Sequence, residues 1–179
     1  NRVNETGVKE PSIVRKGGAR INVQLPGIDN IQQAMAVVGK AAVLEFFMVD
    51  EDFGDQKLLQ VVQAAEDKLA PEKFNDDEEL NYWLQQTGRI GRKNLVLWEY
   101  TQAPDGTSVR SVPYILHEKV ILTGDDVNDA AVGMDQFNEP GVSLEFKPAG
   151  GRIFADVTGA NVNKRFAIVL DGRVQSAPN

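Results

Sequence analysis

A single histidine, His117, stands at the end of an apolar run. One imidazole can move a proton or hold one corner of a metal, but both tasks need partners. The sequence has no second His for a metal set or proton shuttle, and no nucleophile-elbow pattern to complete a Ser-His-Asp set. A structural or surface histidine is the plainer reading. Carboxylates gather at Asp50, Glu51, Asp52 and Asp55, and again at Asp125, Asp126 and Asp129. A calcium loop needs oxygen ligands at alternating positions, a central Gly and a bidentate Glu at the twelfth place. Counted from Asp50 that place is Val61, and from Asp125 it is Gln136, so both templates fail. Helix-cap charge and solvated loop remain as readings. A glycosidase-like carboxylate pair needs two facing groups in a cleft, which sequence spacing does not supply.

Phosphate and thiolate chemistry fare no better. The densest basic stretch, Arg89, Arg92 and Lys93 in "GRIGRKN", lacks the flanking strand and helix that turn glycines into a phosphate cradle. A solvated turn is favoured there. No G-x-x-x-x-G-K-[ST] occurs, and Gly150-Gly151 after Pro148 reads as a helix opening. With 19 basic and 26 acidic residues the net charge is −7, opposite to what nucleic acid binding requires. There is no cysteine, which excludes disulfides, thiolate metal sites and a catalytic thiol. No run approaches the ~20 apolar residues of a membrane span. The chain begins at Asn1 without an initiator Met or signal-peptide pattern, so it reads as an excised piece of something longer.

Composition fits a folded domain: 42% hydrophobic and 25% charged residues over 179 positions. "PSIVRK" and "ARINVQLPGI" read as extended segments around Gly17-Gly18, with Ile21, Val23 and Leu25 on one face. Asp29 can cap a helix with Ile31, Ala34, Met35 and Val38 on one stripe, stopped at Gly39. "AAVLEFFMV" follows as a buried strand. A helix with Leu58, Val62, Ala65 and Leu69 inward is next, and Pro71 ends it or starts the next turn. Asp76 and Glu79 form an acidic variant of the capping box before Leu80, Trp83 and Leu84. "NLVLWEYTQ" and "TSVRSVPYIL" flank Pro104-Asp105-Gly106 as a hairpin, with Pro113 demoting part of the second strand to an edge. Thr123 or Asp125 can cap a short helix, and "GVSLEFK" alternates as a strand. "GGRIFADVTGANV" reads as a helix with Ile153, Phe154 and Val157 inward. Asp171-Gly172 supplies the positive φ angles of a closing hairpin. No internal repeat is visible.

Four stretches together resemble the first large periplasmic domain of the SecD family: "NRVNETGVKEPSIVRKGGARINVQLPGI", "AAVLEFFMVDED", "VILTGDDVNDA" and "NVNKRFAIVLDGRVQSAP". They stand in the family's order at both ends of the chain, whereas Asp50 to Val109 departs from it. The resemblance implies an α+β fold: a partial ferredoxin-like base over 1–49 (strand-strand-helix-strand), a variable helical insertion and hairpin over 50–117, and an α+β head subdomain over 118–179. It implies no enzyme and no cofactor, but a periplasmic domain of a bacterial inner-membrane protein that resembles RND transporters. SecF, the SecYEG channel and the exported preprotein are the implied partners, with the proton-motive force driving export. The family's proton-carrying carboxylates lie in transmembrane helices, so no acid here inherits that role. Family members continue past the "SAP" element to complete the base. The sheet over 11–49 is therefore expected to carry an open edge that can recruit another chain.

Contact with diverse unfolded chains calls for shallow apolar surface and backbone hydrogen bonding. The head strands supply the candidates Val142, Leu144 and Phe146, and Phe166, Ile168 and Leu170. The competing reading is that these side chains fill the head core. From a different class, a free periplasmic binding protein or hydrolase on an α/β core is the alternative, and it would need a concave pocket with converging polar groups.

Overall fold

The computed structural model describes residues 13–16, 20–23, 43–134 and 140–178. It is a mixed α+β structure of two sheets and four helices among those residues. The strands are β1 Ile13–Lys16, β2 Arg20–Val23, β3 Leu44–Met48, β4 Asn94–Gln102, β5 Ser108–His117, β6 Leu122–Thr123, β7 Val127–Met134, β8 Pro140–Phe146, β9 Phe166–Leu170 and β10 Arg173–Ser176. The helices are α1 Asp55–Glu66, α2 Pro71–Phe74, α3 Asp77–Gln86 and α4 Pro148–Ala160. The helix expected between Asp29 and Gly39 lies outside the described residues.

The four-stranded sheet runs β1-β2-β8-β7 and the six-stranded sheet β5-β4-β10-β9-β3-β6. Both contain strands from distant parts of the chain. Ile21 pairs with Leu144 across β2 and β8, and Phe46 with Ile168 across β3 and β9. The sheets thus cross the borders at 49/50 and 117/118: β3 lies between β9 and β6, and β4 pairs in parallel with β10.

The larger sheet curls. β3 and β5 stand at opposite ends of the run β5-β4-β10-β9-β3, yet Val49 bridges Leu116 and the Asp50 N–H donates to Ile115 O at 2.9 Å. A cluster of Phe47, Val49, Leu116, Ala167, Val169 and Val174 fills the concave side. Strand alternation turns the neighbouring residues outward, so Phe46 and Ile168 face the opposite way from Phe47 and Val169. Two further cores lie on this convex face. Over β3 and β9, the smaller sheet and α4 enclose Leu44, Phe46, Val142, Leu144, Phe154 and Phe166. Over β4 and β5, α1 and α3 bury Leu58, Val62, Leu80, Leu84, Val96 and Trp98.

The expected stripe on α1 is present, with Leu58, Val62 and Ala65 buried and Leu69 packed against the same core. Asp76 caps α3 by accepting the Glu79 N–H at 2.9 Å. The Glu79 carboxylate does not close a capping box; it sits 3.5 Å from Lys73. α3 also satisfies the part of β4 that lies beyond its pairing with β10. The Asn81 side-chain amide both donates to Val96 O and accepts from Val96 N, and Gln85 donates to Asn94 O at 2.9 Å.

Two sequence expectations change around α4. Ile153 is 42% exposed, while Phe154 is buried and Val157 packs beside it. Successive helical residues are ~100° apart, so a face centred on Phe154 and Val157 turns Ile153 outward. The short helix expected near Thr123 is a single 3-10 turn, Gly124–Asp126, with Thr123 and Asp126 capping each other. Beyond it the chain forms β7, a strand that the sequence reading missed. Gly150 seats α4 against this turn, since a Cβ there would stand 2.9 Å from Asp126 Cβ and 3.1 Å from its carbonyl oxygen. The closing hairpin is as expected, with Asp171 at φ 48 and Gly172 at φ 75.

Candidate functional site

The six residues named from the sequence come together, but as core. Val142, Leu144 and Phe146 lie on β8, and Phe166 and Ile168 on β9; all five are buried in the cluster between the sheets. Leu170 packs half-buried at its border. Phe46 lies between the two strands, 5.5 Å from Phe146 edge-to-face and 5.7 Å from Phe166 in a stack. Phe154 closes the group, 5.5 Å from Phe146 and 5.4 Å from Phe166. These side chains hold two layers together and leave almost no surface for a passing partner. Alternation along β8 marked one apolar face correctly; whether another layer covers that face is a tertiary fact.

Four of the carboxylates singled out by type, Asp50, Glu51, Asp55 and Asp126, hold the fold together. Glu51, just after β3, receives Arg165 Nε at 2.8 Å and Nη2 at 2.9 Å, a two-pronged pair reinforced by the Arg165 backbone N–H at 3.0 Å. Arg165 Nη2 also reaches Asp55 at the start of α1 at 2.9 Å. This node ties the β3–α1 turn to the entry of β9. Asp50 accepts from Asn94 at 2.7 Å, and Asp126 belongs to the cap at Thr123. His117 is exposed at the end of β5, paired across the ladder with Asn94. Among the described residues no group of three or more His, Cys, Asp or Glu could hold a metal. In the basic turn Arg89 lies over the Trp83 ring, 4.9 Å from its centroid, while Arg92 and Lys93 are exposed.

Hydrogen bonds from Arg165 hold the Glu51 carboxyl below its ordinary value of 4.5, against a smaller opposing effect of burial. A carboxyl depressed in the folded state stabilises the fold fully above its unfolded pKa, and that contribution is lost as pH falls through the folded value. Acidification below pH 4.5 should therefore lower the urea midpoint, and Glu51→Gln should flatten this acid limb. Denaturant titrations across that range check it; parallel limbs for both proteins would contradict the assignment. Nearby, burial and then Glu99 push the Tyr114 hydroxyl up to about 12, so it stays a donor to Glu99 at 3.1 Å.

The β4–β5 hairpin carries the more open surface. Asp105 fixes its tip by accepting the Thr107 N–H at 2.9 Å and its hydroxyl at 2.6 Å. β5 forms one edge of the larger sheet, in keeping with Pro113, and Val109 and Val112 on it are 43% and 44% exposed. Arg110 between them turns inward. It donates to Phe74 O at 2.6 Å, to Asn75 O at 2.9 Å and to the Asp77 carboxylate, and lies 5.1 Å from the Trp98 ring centroid. Sequence reasoning did not single out Arg110 or Arg165, whose partners lie far along the chain.

Two family models match the chain. Residues 1–51 match the N-terminal part of the P1 domain of the protein translocase subunit SecDF, and residues 99–179 match the SecDF P1 head subdomain. The SecD translocase subunit of Desulfurispirillum indicum is 37% identical over 99% of this chain, and the SecDF subunit of Thermus thermophilus is 37% identical over the same share. The chain spans only 30% of the first relative and 20% of the second. A solved structure of SecDF, described as a membrane component that enhances protein export, is 35% identical. It matches 96% of this chain and 65% of its own, with a TM-score of 0.41. Among the described residues no helix is long and apolar enough to cross a membrane.

Proposed function

This chain belongs to the SecD/SecDF family of protein translocase subunits, and from that premise we propose that it is the periplasmic P1 portion of a bacterial inner-membrane protein that grips preproteins during export. The observation that carries the reading is the order of the two matches, P1 N-terminal part first and head subdomain last, on either side of residues 52–98. In this proposal the work is mechanical and non-enzymatic. SecF and the SecYEG channel are its partners, and the proton-motive force supplies the drive through other parts of the full-length protein. Residues 1–49 would belong to a ferredoxin-like base, 50–117 to a connection, and 118–179 to a head.

The buried strands β8 and β9 have a supporting part in this reading. Val142, Leu144, Phe146, Phe166, Ile168 and Leu170 stiffen the layers, and the exported chain meets exposed residues. A free binding protein or hydrolase would use the concave side of the curled sheet, and that side is filled by Phe47, Val49, Leu116 and Val169.

Photo-crosslinking in cells carrying the full-length protein tests the proposal. Probes go at exposed Ser108, Val112 and Leu59, with the buried Val142 as control. Crosslinks to a stalled export substrate from at least one exposed position are expected. Substrate-free crosslinking at every exposed position would remove the polypeptide-gripping role.

A further inference from the structure

The outer edge of β5 has an unusual guard. Edge strands in natural proteins are blunted by charged side chains, prolines and bulges, because their unpaired N–H and C=O groups template another strand. The C-terminal half of β5 is closed off: Val49 bridges Leu116, and Asp50 donates to Ile115 O. Pro113, which lacks an N–H, marks the end of that protected half. From Ser108 to Val112, no strand among the described residues lies on the outer side. The charge that would ordinarily protect this stretch is Arg110, and its side chain is only 10% exposed because Asp77, Phe74 O and Asn75 O hold it inward. What remains on the strand itself is two serines, Ser108 taking a hydrogen bond from Arg173 of β10 at 3.3 Å, and two half-exposed valines beside a tip fixed by Asp105.

We infer that the edge of β5 from Ser108 to Val112 is a docking site for an extended, uncharged stretch of unfolded polypeptide, which adds to the sheet through main-chain hydrogen bonds. Main-chain pairing is indifferent to most side chains, which suits a protein that must take many clients. Val109 and Val112 favour β-branched or aliphatic residues opposite them over charged ones. A second copy of this chain is a poor occupant. The stretch falls far short of the roughly 20–30 residues a side of a stable interface, and a register shift in the β4–β5 ladder between Trp98 and Tyr100 twists the strand. Short, reversible contact is what such an edge supports. This inference rests on the polypeptide-gripping reading given above.

The test titrates the 179-residue chain with a permanently unfolded probe, reduced and carboxamidomethylated ribonuclease, while following amide hydrogen exchange residue by residue. Amides between Ser108 and Val112 that are exchangeable in the free chain should gain protection. A V109K/V112K variant, which restores charge to the edge at two half-exposed positions, should bind about tenfold more weakly with an unchanged urea midpoint. Binding of the probe with protection elsewhere, or with equal affinity for the variant, overturns the β5 assignment and leaves the gripping role standing. No binding of the probe at all overturns both. Protection at β5 that rises with chain concentration in the absence of probe makes a second copy the occupant and overturns the one assigned here.

Discussion

Replacing Phe46 by alanine should cost about 3–5 kcal/mol of stability, the loss expected for a large aromatic side chain removed from a tight core. Phe46 is 1% exposed and stands where the layers meet, touching Phe146 of the smaller sheet and Phe166 of the larger. Its removal takes away transfer free energy and leaves a cavity that two sheets and a helix cannot all collapse into. The damage should also have a direction. Amides of β7 and β8 should exchange faster than those of α1 and α3, whose core is a separate cluster. Urea unfolding and exchange mass spectrometry read both effects. A loss below about 1 kcal/mol would mean that the layers do not share this core.

Arg110→Met should cost about 2–3 kcal/mol, because it keeps most of the stem's packing while leaving two carbonyls and a carboxylate without their donor. Arg110→Lys should recover only part of this. A point charge cannot serve Phe74 O, Asn75 O and Asp77 together as a planar fork does. The penalty should depend on pH in a defined sense. Burial raises the Asp77 carboxyl, and the Arg110 charge only partly opposes it. A carboxyl raised in the folded state favours folding most when protonated, and that advantage falls away as pH climbs through its folded pKa. Without Arg110 the rise should be larger, so the cost of Arg110→Met should shrink on acidification through the carboxylate range. Unfolding curves at neutral pH and near pH 4 decide it. An equal cost at both would show that Asp77 is not the group left stranded.

Local chemistry was legible in the sequence. The stripe of α1, the Asp76 cap and the Asp171-Gly172 turn each depend on residues within a few positions of one another, and each is present. What could not be read depends on partners far away. The "FAIVL" of β9 is apolar on both faces, so its composition could not say which face meets β8 and which lines the curl. The strand "VNDAAVGM" carries few of the β-branched and aromatic residues that mark strands, and its place comes from pairing with β8. The candidate contact residues lie in the core for a related reason. Alternation identifies an apolar face, and a contact surface and a core face present the same pattern. Arg165 and Glu51 are 114 positions apart, and no spacing rule reaches that far.

That separation has a consequence for how the chain comes to be folded at all. Val43 and Asp171 exchange hydrogen bonds across 128 positions, and β2 must wait for β8 before it has a neighbour on its inner side. Consecutive strands can pair early, but β2–β8, β3–β9 and β4–β10, which assemble the two sheets, close only when the C-terminal strands arrive. Loop closure therefore precedes reward, and folding should be slow for its size. A polypeptide emerging in order would hold the inner edge of β2, and both edges of β3, without their partners for most of its synthesis. A protein whose relatives are named for translocating other chains is thus, during its own birth, a chain that carries open strand edges until its last strands arrive.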